Sequence, residues 1–285
     1  AEINYVVAGK IPHFLTMTAT PIPRTLAIAL FGNLDLSILD ERPKDRKKII
    51  TKIIPPGGRK EIYNFIRSEI KIGRQAFVIL PLVEESKVLT EVKAATQEYK
   101  KLSQEIFPDM KLGLLHGRLS SAEKEKVMEN FKNKKIDILV ATAVVEVGID
   151  VPNATVMIIE DADRFGLSQL HQFRGRVGRS EYQSYCFLFS SLNSEIAKNR
   201  LKALEQNSDG FKIAEKDLEL RGPGQFFGTL QSGLPDMAME NLTNVKLIKI
   251  AREEAKEILV KDPELKNYPA LKEKIVAFNR NIHLE

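Results

Sequence analysis

Residues 142–179 read TAVVEVGIDVPNATVMIIEDADRFGLSQLHQFRGRVGR. Thr155 to Ile159 is a short apolar run of the kind that forms a buried strand. The stretch closes on Gln172, Arg174, Arg176 and Arg179, set around Gly175 and Gly178. The spacing Q-x-R-G-R-x-G-R is expected to gather three guanidiniums on one turn, where glycines let the backbone pass close to a ligand. Arginine carries a planar five-donor fork that pairs bidentately with phosphate oxygens and stays charged, so the cluster is read as phosphate-binding. A solvated basic helix face is the ordinary alternative for a charge run. The coincidence of the glycine spacing with the upstream G-I-D-x-P element weighs against it.

On either side of this stretch, apolar runs alternate with helical patterns, the rhythm of a parallel sheet with helices on its faces. Strands are expected at residues 13–17, 49–54, 76–80, 112–115, 137–141, 155–159 and 185–189. Between them, residues 59–70, 89–106 and 121–131 carry apolar side chains at three- and four-residue spacing and predict helices. Ser120 with Glu123 three residues on predicts a capping box. After Asn193 the pattern turns helical, then to a Gly/Pro-rich loop at 221–233, then to two helices at 242–260 and 263–279. The expected class is therefore α/β, with a helical hairpin and loop extension behind the sheet.

The 285 residues, 43% apolar, suffice for one sizeable core and a smaller appendage. Lys+Arg 43 against Asp+Glu 38 leaves a net charge of only +5, so charge has to be judged by place. Arg42 to Lys60 holds eight basic residues and one acid, Asp45, which suits a stripe along a phosphate backbone and a plain solvated linker equally well. The lone Cys186 within an apolar run excludes a disulfide framework and points to a reducing compartment. No apolar run approaches the roughly 20 residues that span a bilayer, and no signal peptide opens the chain. A cytoplasmic protein is expected. His13, His116, His171 and His283 lack metal-ligand spacing, and His171 is expected to pack beside the arginine turn.

The arginine turn resembles motif VI of superfamily 2 helicases, residues 142–152 resemble motif V, and Met17-Thr18-Ala19-Thr20-Pro21 resembles motif III. The fuller strings TATPIPRTLA at 18–27, LLHGRLS at 114–120 and RFGLSQLHQFRGRVGR at 164–179 resemble the RecG-type branched-DNA helicases. That resemblance runs from about residue 13 to about 236. The transcription-repair coupling translocase shares motif VI and the segment after it. VILPLVEESK at 78–87 and LELRGPGQFFGTLQSGLPD at 218–236 favour the RecG type.

The resemblance implies a RecA-like fold with helices on both faces of the sheet. Residues 1–45 would be the tail of a first motor lobe and a hinge, 46–192 a second RecA-like lobe, and 193–285 a translocation motif with a C-terminal extension. It implies an ATP-dependent helicase acting on branched double-stranded DNA. Arg176 and Arg179 would be arginine fingers and Gln172 their partner at the γ-phosphate, with Arg174 left between ligand and interface roles. Gly148 and Asp150 of motif V, with Thr18, Ala19 and Thr20, would bind ATP or couple its state to the lobe interface. Taken alone, Asp150 is equally a turn former before Val151-Pro152, and a T-A-T triplet a helix-capping turn. Thr142, Gly117 and Arg118 would contact DNA phosphates. Arg200, Arg221 and Gln231 would form the translocation network, where composition alone suggests a static Gly/Pro connector.

The sequence holds neither a G-x-x-x-x-G-K-[ST] loop nor a D-E-x-x box. It is accordingly read as a piece whose ATP and Mg2+ are bound mainly by a first motor lobe of the same parent chain, which would also carry a wedge domain. The piece alone is expected to lack ATPase activity. A non-catalytic nucleic-acid-binding module is the reading from a different class, and an intact motif VI counts against it.

Overall fold

Short runs rich in Val, Ile, Leu and Phe become six strands, each parallel to its neighbours. They belong to a computed structural model that describes residues 46–81, 88–142, 151–190, 194–221 and 245–281, with only single positions ahead of 46. The strands are β1 (Ile50–Ile54), β2 (Gln75–Ile79), β3 (Leu112–Leu115), β4 (Ile138–Ala141), β5 (Ala154–Ile159) and β6 (Tyr185–Phe189). Across the sheet they lie in the order β1-β6-β5-β2-β4-β3. Parallel neighbours need long crossovers. Helices α1 (Arg59–Lys71), α2 (Val88–Lys101), α3 (Ser121–Lys132) and α4 (Leu167–Arg174) supply them. Beyond the sheet follow α5 (Glu195–Gln206), α6 (Gly210–Arg221), α7 (Val245–Lys261) and α8 (Pro269–Asn281).

The central strands are buried on both sides, which explains why they read as continuous apolar runs rather than alternating ones. Alternate residues still choose different faces. Phe77, Leu139, Met157 and Leu188 pack with Phe131 of α3, Leu170 and Phe173 of α4 and Leu201 and Leu204 of α5. Val78, Val140, Ile158 and Phe187 pack with Ile66 of α1 and Ala95 of α2. Each face is thus sealed by its own helices, as in RecA-like lobes. The open side of β1 is covered by α5, whose Glu205 carboxylate accepts a hydrogen bond from Ile53 N at 3.1 Å.

One side chain gathers the loops at the amino-terminal edge of the sheet. Gln75, 2% exposed, donates through Nε2 to the carbonyls of Phe131 (2.6 Å) and Ile136 (2.7 Å). Its Oε1 accepts from Asn153 Nδ2 at 3.0 Å. A buried amide is tolerated only when its donors and acceptors are used, and here they tie α3, β4 and the approach to β5 to β2.

The expected capping box is present. Glu123 N donates to Ser120 Oγ, and Ser120 N donates to the Glu123 carboxylate, whose pKa the Ser120 hydrogen bonds hold below the usual carboxylate range. Two boundaries differ from expectation. The single helix read at 89–106 is α2 followed by a π-helical turn, Leu102–Ile106, closed by Phe107 N donating to Leu102 O at 2.7 Å. The last helix begins at Pro269 rather than 263. The Asp262 carboxylate accepts from Asn267 N and Leu265 takes φ 54, so a capped turn intervenes before Pro269 takes the first helical position. The strand read at 13–17 and the start of the helix read at 242 lie outside the described residues. Among the described residues no helix is long and apolar enough to cross a membrane.

Replacing Gln75 by Leu takes the side-chain donor from the Ile136 carbonyl and one of the donors from Phe131 O, and urea unfolding should show a loss of about 1–3 kcal/mol. Wild-type stability in that variant would refute the role given to the amide. Cys186 is fully buried, and burial pushes its thiol up to about 12. At pH 8 the native chain should therefore resist iodoacetamide, with labelling that follows unfolding. Rapid labelling of folded protein would contradict this burial.

Candidate functional site

Helix α4 is pinned to the sheet by Leu167, Leu170 and Phe173, and Phe173 meets Phe165 edge-to-face at 5.2 Å. This fixes where the following turn emerges, at the amino-terminal edge of the sheet beside the start of β1. Gly178 there has φ +73, and a Cβ on it would lie 2.7 Å from Ile49 Cγ1. Any side chain at 178 would be strained and would push the turn off β1. Gln172, Arg176 and Arg179 are half-buried on this turn, and Arg179 Nε donates to Gly175 O at 3.0 Å.

Arg174 takes the interface role of the two left open for it. It is 4% exposed, and its Nη1 donates to the carbonyls of Leu204 and Asn207, each at 2.7 Å. Its Nη2 donates to His171 Nδ1 at 2.8 Å. A cation at the carboxyl end of α5 satisfies carbonyls that the helix leaves open and complements its dipole. Arg174 therefore bolts α4 to α5, and His171 packs against it as expected. The ligand-facing candidates are Gln172, Arg176 and Arg179. A cleft of about 180 Å³ at the base of the turn is lined by Arg46, Lys47, His171, Arg174, Gly175, Gly178 and Ser208, and not by the three candidates themselves. This brings part of the basic stretch after Arg42 next to the turn.

A second polar surface lies at the opposite, carboxyl-terminal edge. Leu115 pairs with Ala141 at the ends of β3 and β4, so His116 and Thr142 leave the sheet side by side. His116 Nδ1 and Thr142 Oγ1 are both buried and have no hydrogen-bond partner among the described residues. Thr142 N is spent on Leu115 O at 3.1 Å. Gly117 and Arg118 are exposed next to them, and Lys124 Nζ donates to Gly117 O at 2.9 Å.

The sequence reading missed a third feature, a cleft of about 450 Å³ at the carboxyl ends of β2 and β5. The chain leaves these two strands in opposite directions, the switch point at which open α/β sheets form crevices. Arg59 forms a bidentate pair with Glu160 there, at 2.8 and 2.7 Å, and its guanidinium lies 4.3 Å over the Phe189 ring. Tyr63 Oη accepts from Arg59 at 3.2 Å. Burial pushes the Glu160 carboxyl up while the Arg59 fork pulls it back, and the pair raises the Arg59 pKa. Asp161 beside it takes φ 43, a left-handed conformation. The available signal was Glu160-Asp161 directly after an apolar strand.

Helices α5 and α6 pack as a hairpin joined at residues 207–209. Arg200 Nη1 lies 3.4 Å from Asp163 O, and its Nε is buried without a partner among the described residues. Arg221 is the last residue of α6. Thr18, Ala19, Thr20, Gly148, Asp150 and Gln231 lie outside the described residues. Among the described residues no three His, Cys, Asp or Glu side chains converge on a point fit for a metal ion.

Residues 59–181 match the profile of the helicase conserved C-terminal domain, and residues 207–279 match that of ATP-dependent DNA helicase RecG, domain 3, C-terminal. The ATP-dependent DNA helicase RecG of Synechocystis sp. is 54% identical over 269 residues, covering 94% of this chain and 32% of the relative. The RecG of Thermotoga maritima is 51% identical over 258 residues, covering 90% and 33%. Over nearly its whole length the chain is similar to the RecG helicases. A solved structure of RecG bound to a three-way DNA junction superposes with TM-score 0.64 at 47% identity, covering 81% of this chain and 30% of that one. The chain spans about a third of the length of the curated relatives it matches. The two matching profiles meet across the Arg174 bolt: α4 falls in the helicase segment, and Asn207 is the first residue of the RecG-specific one.

The two kinds of arginine in this turn should separate by measurement. Arg174→Met should lower stability by about 2–4 kcal/mol, because it uncovers two carbonyls and loosens α5. Arg179→Ala should stay within about 0.5 kcal/mol of wild type. Equal losses in calorimetry would contradict the division.

Proposed function

We propose that the chain is the second motor lobe of an ATP-dependent double-stranded DNA translocase that remodels branched DNA such as stalled forks and Holliday junctions. In this reading residues 1–45 end a first lobe and its hinge, 46–192 are the second lobe, and 193–285 carry the translocation motif. The names of the relatives, ATP-dependent DNA helicase RecG, and the junction-bound structure support it.

The observation that carries the proposal is the fixed mounting of the Arg176 and Arg179 turn, held by the buried Arg174 on one side and by Gly178 against Ile49 on the other. Phosphoryl transfer is catalysed mainly by positioning and charge stabilisation, and an arginine finger is worth about 10³–10⁵ in rate. Such a finger must be held in place before the ligand arrives. With a first lobe closed against this edge, Arg176 and Arg179 would neutralise the γ-phosphate and Gln172 would bond to it. ATP phosphates fit that donor set. Mg2+ finds no acidic cluster among the described residues and is assigned to the first lobe.

At the other edge, a DNA phosphate oxygen would give His116 and Thr142 the partners they lack, with Gly117 leaving room and Arg118 adding charge. Asp150 and Gly148 of motif V, and Thr18, Ala19 and Thr20 of motif III, would report the nucleotide state to the lobe interface. The Arg174 bolt then passes movement of the turn to the α5–α6 hairpin, whose network of Arg200, Arg221 and Gln231 would engage the duplex. The RecG-specific match over 207–279 favours this assignment over the transcription-repair coupling translocase.

In a protein carrying both lobes, Arg179→Ala should abolish the ATPase that forked DNA stimulates, and the present chain by itself should hydrolyse no ATP above background. Fork-stimulated hydrolysis that survives the substitution, or turnover by the isolated chain, would reject the proposal.

A further inference from the structure

Helices α1 and α3 end at the same edge of the sheet and in the same way. At the end of α1, Gly73 N donates to Ile70 O (2.8 Å) and Arg74 N to Glu69 O (3.0 Å). At the end of α3, Lys134 N donates to Phe131 O (3.0 Å) and Lys135 N to Asn130 O (2.8 Å). Both are Schellman closures, in which the residue after the cap must turn left-handed and glycine is the usual choice. Gly73 obeys, with φ +82. The equivalent residue of α3 is Lys134, with φ 59. A β-carbon in this conformation is strained, so the chain holds a lysine where the glycine it uses two crossovers earlier would be more stable.

The surroundings of Lys134 say what the side chain is for. Lys132, Lys134 and Lys135 are all exposed on one loop. The neighbouring loop is joined to it by Asp137 N donating to Lys111 O at 2.7 Å, which sets the exposed Lys111 alongside. On the other side, Gln75 ties in the loop that follows the exposed Lys71. None of the five ammonium groups has a hydrogen-bond or carboxylate partner among the described residues, whereas those of Lys101, Lys198, Lys216 and Lys261 each pair with a glutamate on their own helix. Of the nearby acids, Asp137 is occupied by Lys111 N, at 2.8 Å, and Asp109 is exposed. Like charges from three loops are thus held together, two of the loops by a buried amide and the third by a backbone bond. This arrangement gives up stability unless a polyanion neutralises it.

We infer that this amino-terminal edge of the β2-β4-β3 half of the sheet is a second DNA-binding surface. It grips the phosphate backbone of duplex DNA without reading its sequence. Lysine is a point charge on a flexible stem, suited to backbone contact, while Arg74 of the same loops is spent on Asn153 Oδ1 at 3.3 Å and on the Tyr182 ring. The surface lies across the sheet from His116 and Thr142. It goes beyond the motor reading by giving the lobe a hold on a second duplex segment.

The test uses the present chain, fluorescence anisotropy on a short linear duplex across a salt series, and thermal unfolding. Lys134→Gly should raise the melting temperature by about 2–4 °C, weaken duplex binding roughly threefold and flatten the salt slope by about 0.9. Lys134→Gln should weaken binding equally without the stability gain. Lys256→Gln, which removes the same charge from the exposed face of α7, should leave the slope unchanged. The inference is overturned if the Lys134 variants bind as wild type does, if Lys256→Gln flattens the slope as much, or if the wild-type chain does not bind duplex at low salt. Displacement of the bound duplex by polyglutamate from wild type and Lys134→Gly alike would also overturn it, pointing to an acidic protein partner held elsewhere. None of these failures touches the motor reading, which stands or falls with the ATPase of Arg179→Ala.

Discussion

The sheet is covered on both faces, and the positions of all the polar groups discussed above follow from that coverage. A parallel sheet sealed by helices has no free face on which to present a ligand site, so function moves to its two edges. At the carboxyl edge the strands deliver His116, Thr142 and Glu160; at the amino edge the returning helices deliver the arginine turn and the lysine loops. In the proposed function the arginine turn at one edge would face nucleotide, and His116 and Thr142 at the other would face nucleic acid. The β-strands between them form a stiff spacer, since their side chains interdigitate at the density of a close-packed interior.

Within the arginine turn, burial separates residues of the same type. Arg174 is withdrawn from solvent and has carbonyl acceptors at close range, so its charge goes into holding two helices together. Arg176 and Arg179 remain half-exposed a few residues later. The bidentate Arg59–Glu160 pair is similar: an exposed ion pair contributes little, but this one spans from the start of α1 to the end of β5 and shapes the wall of the cleft.

Much of this was legible in the sequence. The strands could be read because burial on both faces leaves uninterrupted Val/Ile/Leu runs, and Leu112–Leu115 and Tyr185–Phe189 fall where the runs predict. The Ser120–Glu123 box was legible because its chemistry is local. Arg174 was not, because its acceptors lie some thirty residues away on a helix whose docking no local pattern encodes. The Gln75 amide and the Arg59–Glu160 pair were hidden for the same reason, being joined only by strand order. The left-handed lysine of α3 was invisible because Lys132 to Lys135 reads as an ordinary solvated run until backbone angles are known. Motifs III and V were readable from their strings, yet most of their residues fall outside the described part of the chain.

The Glu205 cap on Ile53 limits how the hairpin can move. An uncovered parallel edge strand offers unpaired backbone groups to any other chain, so α5 also acts as a guard against edge-to-edge association. In the proposed motor, swinging α5 away would expose that edge at every turnover. The hinge of such a stroke would then lie beyond α5, with the lobe and the first arm of the hairpin moving as one lever.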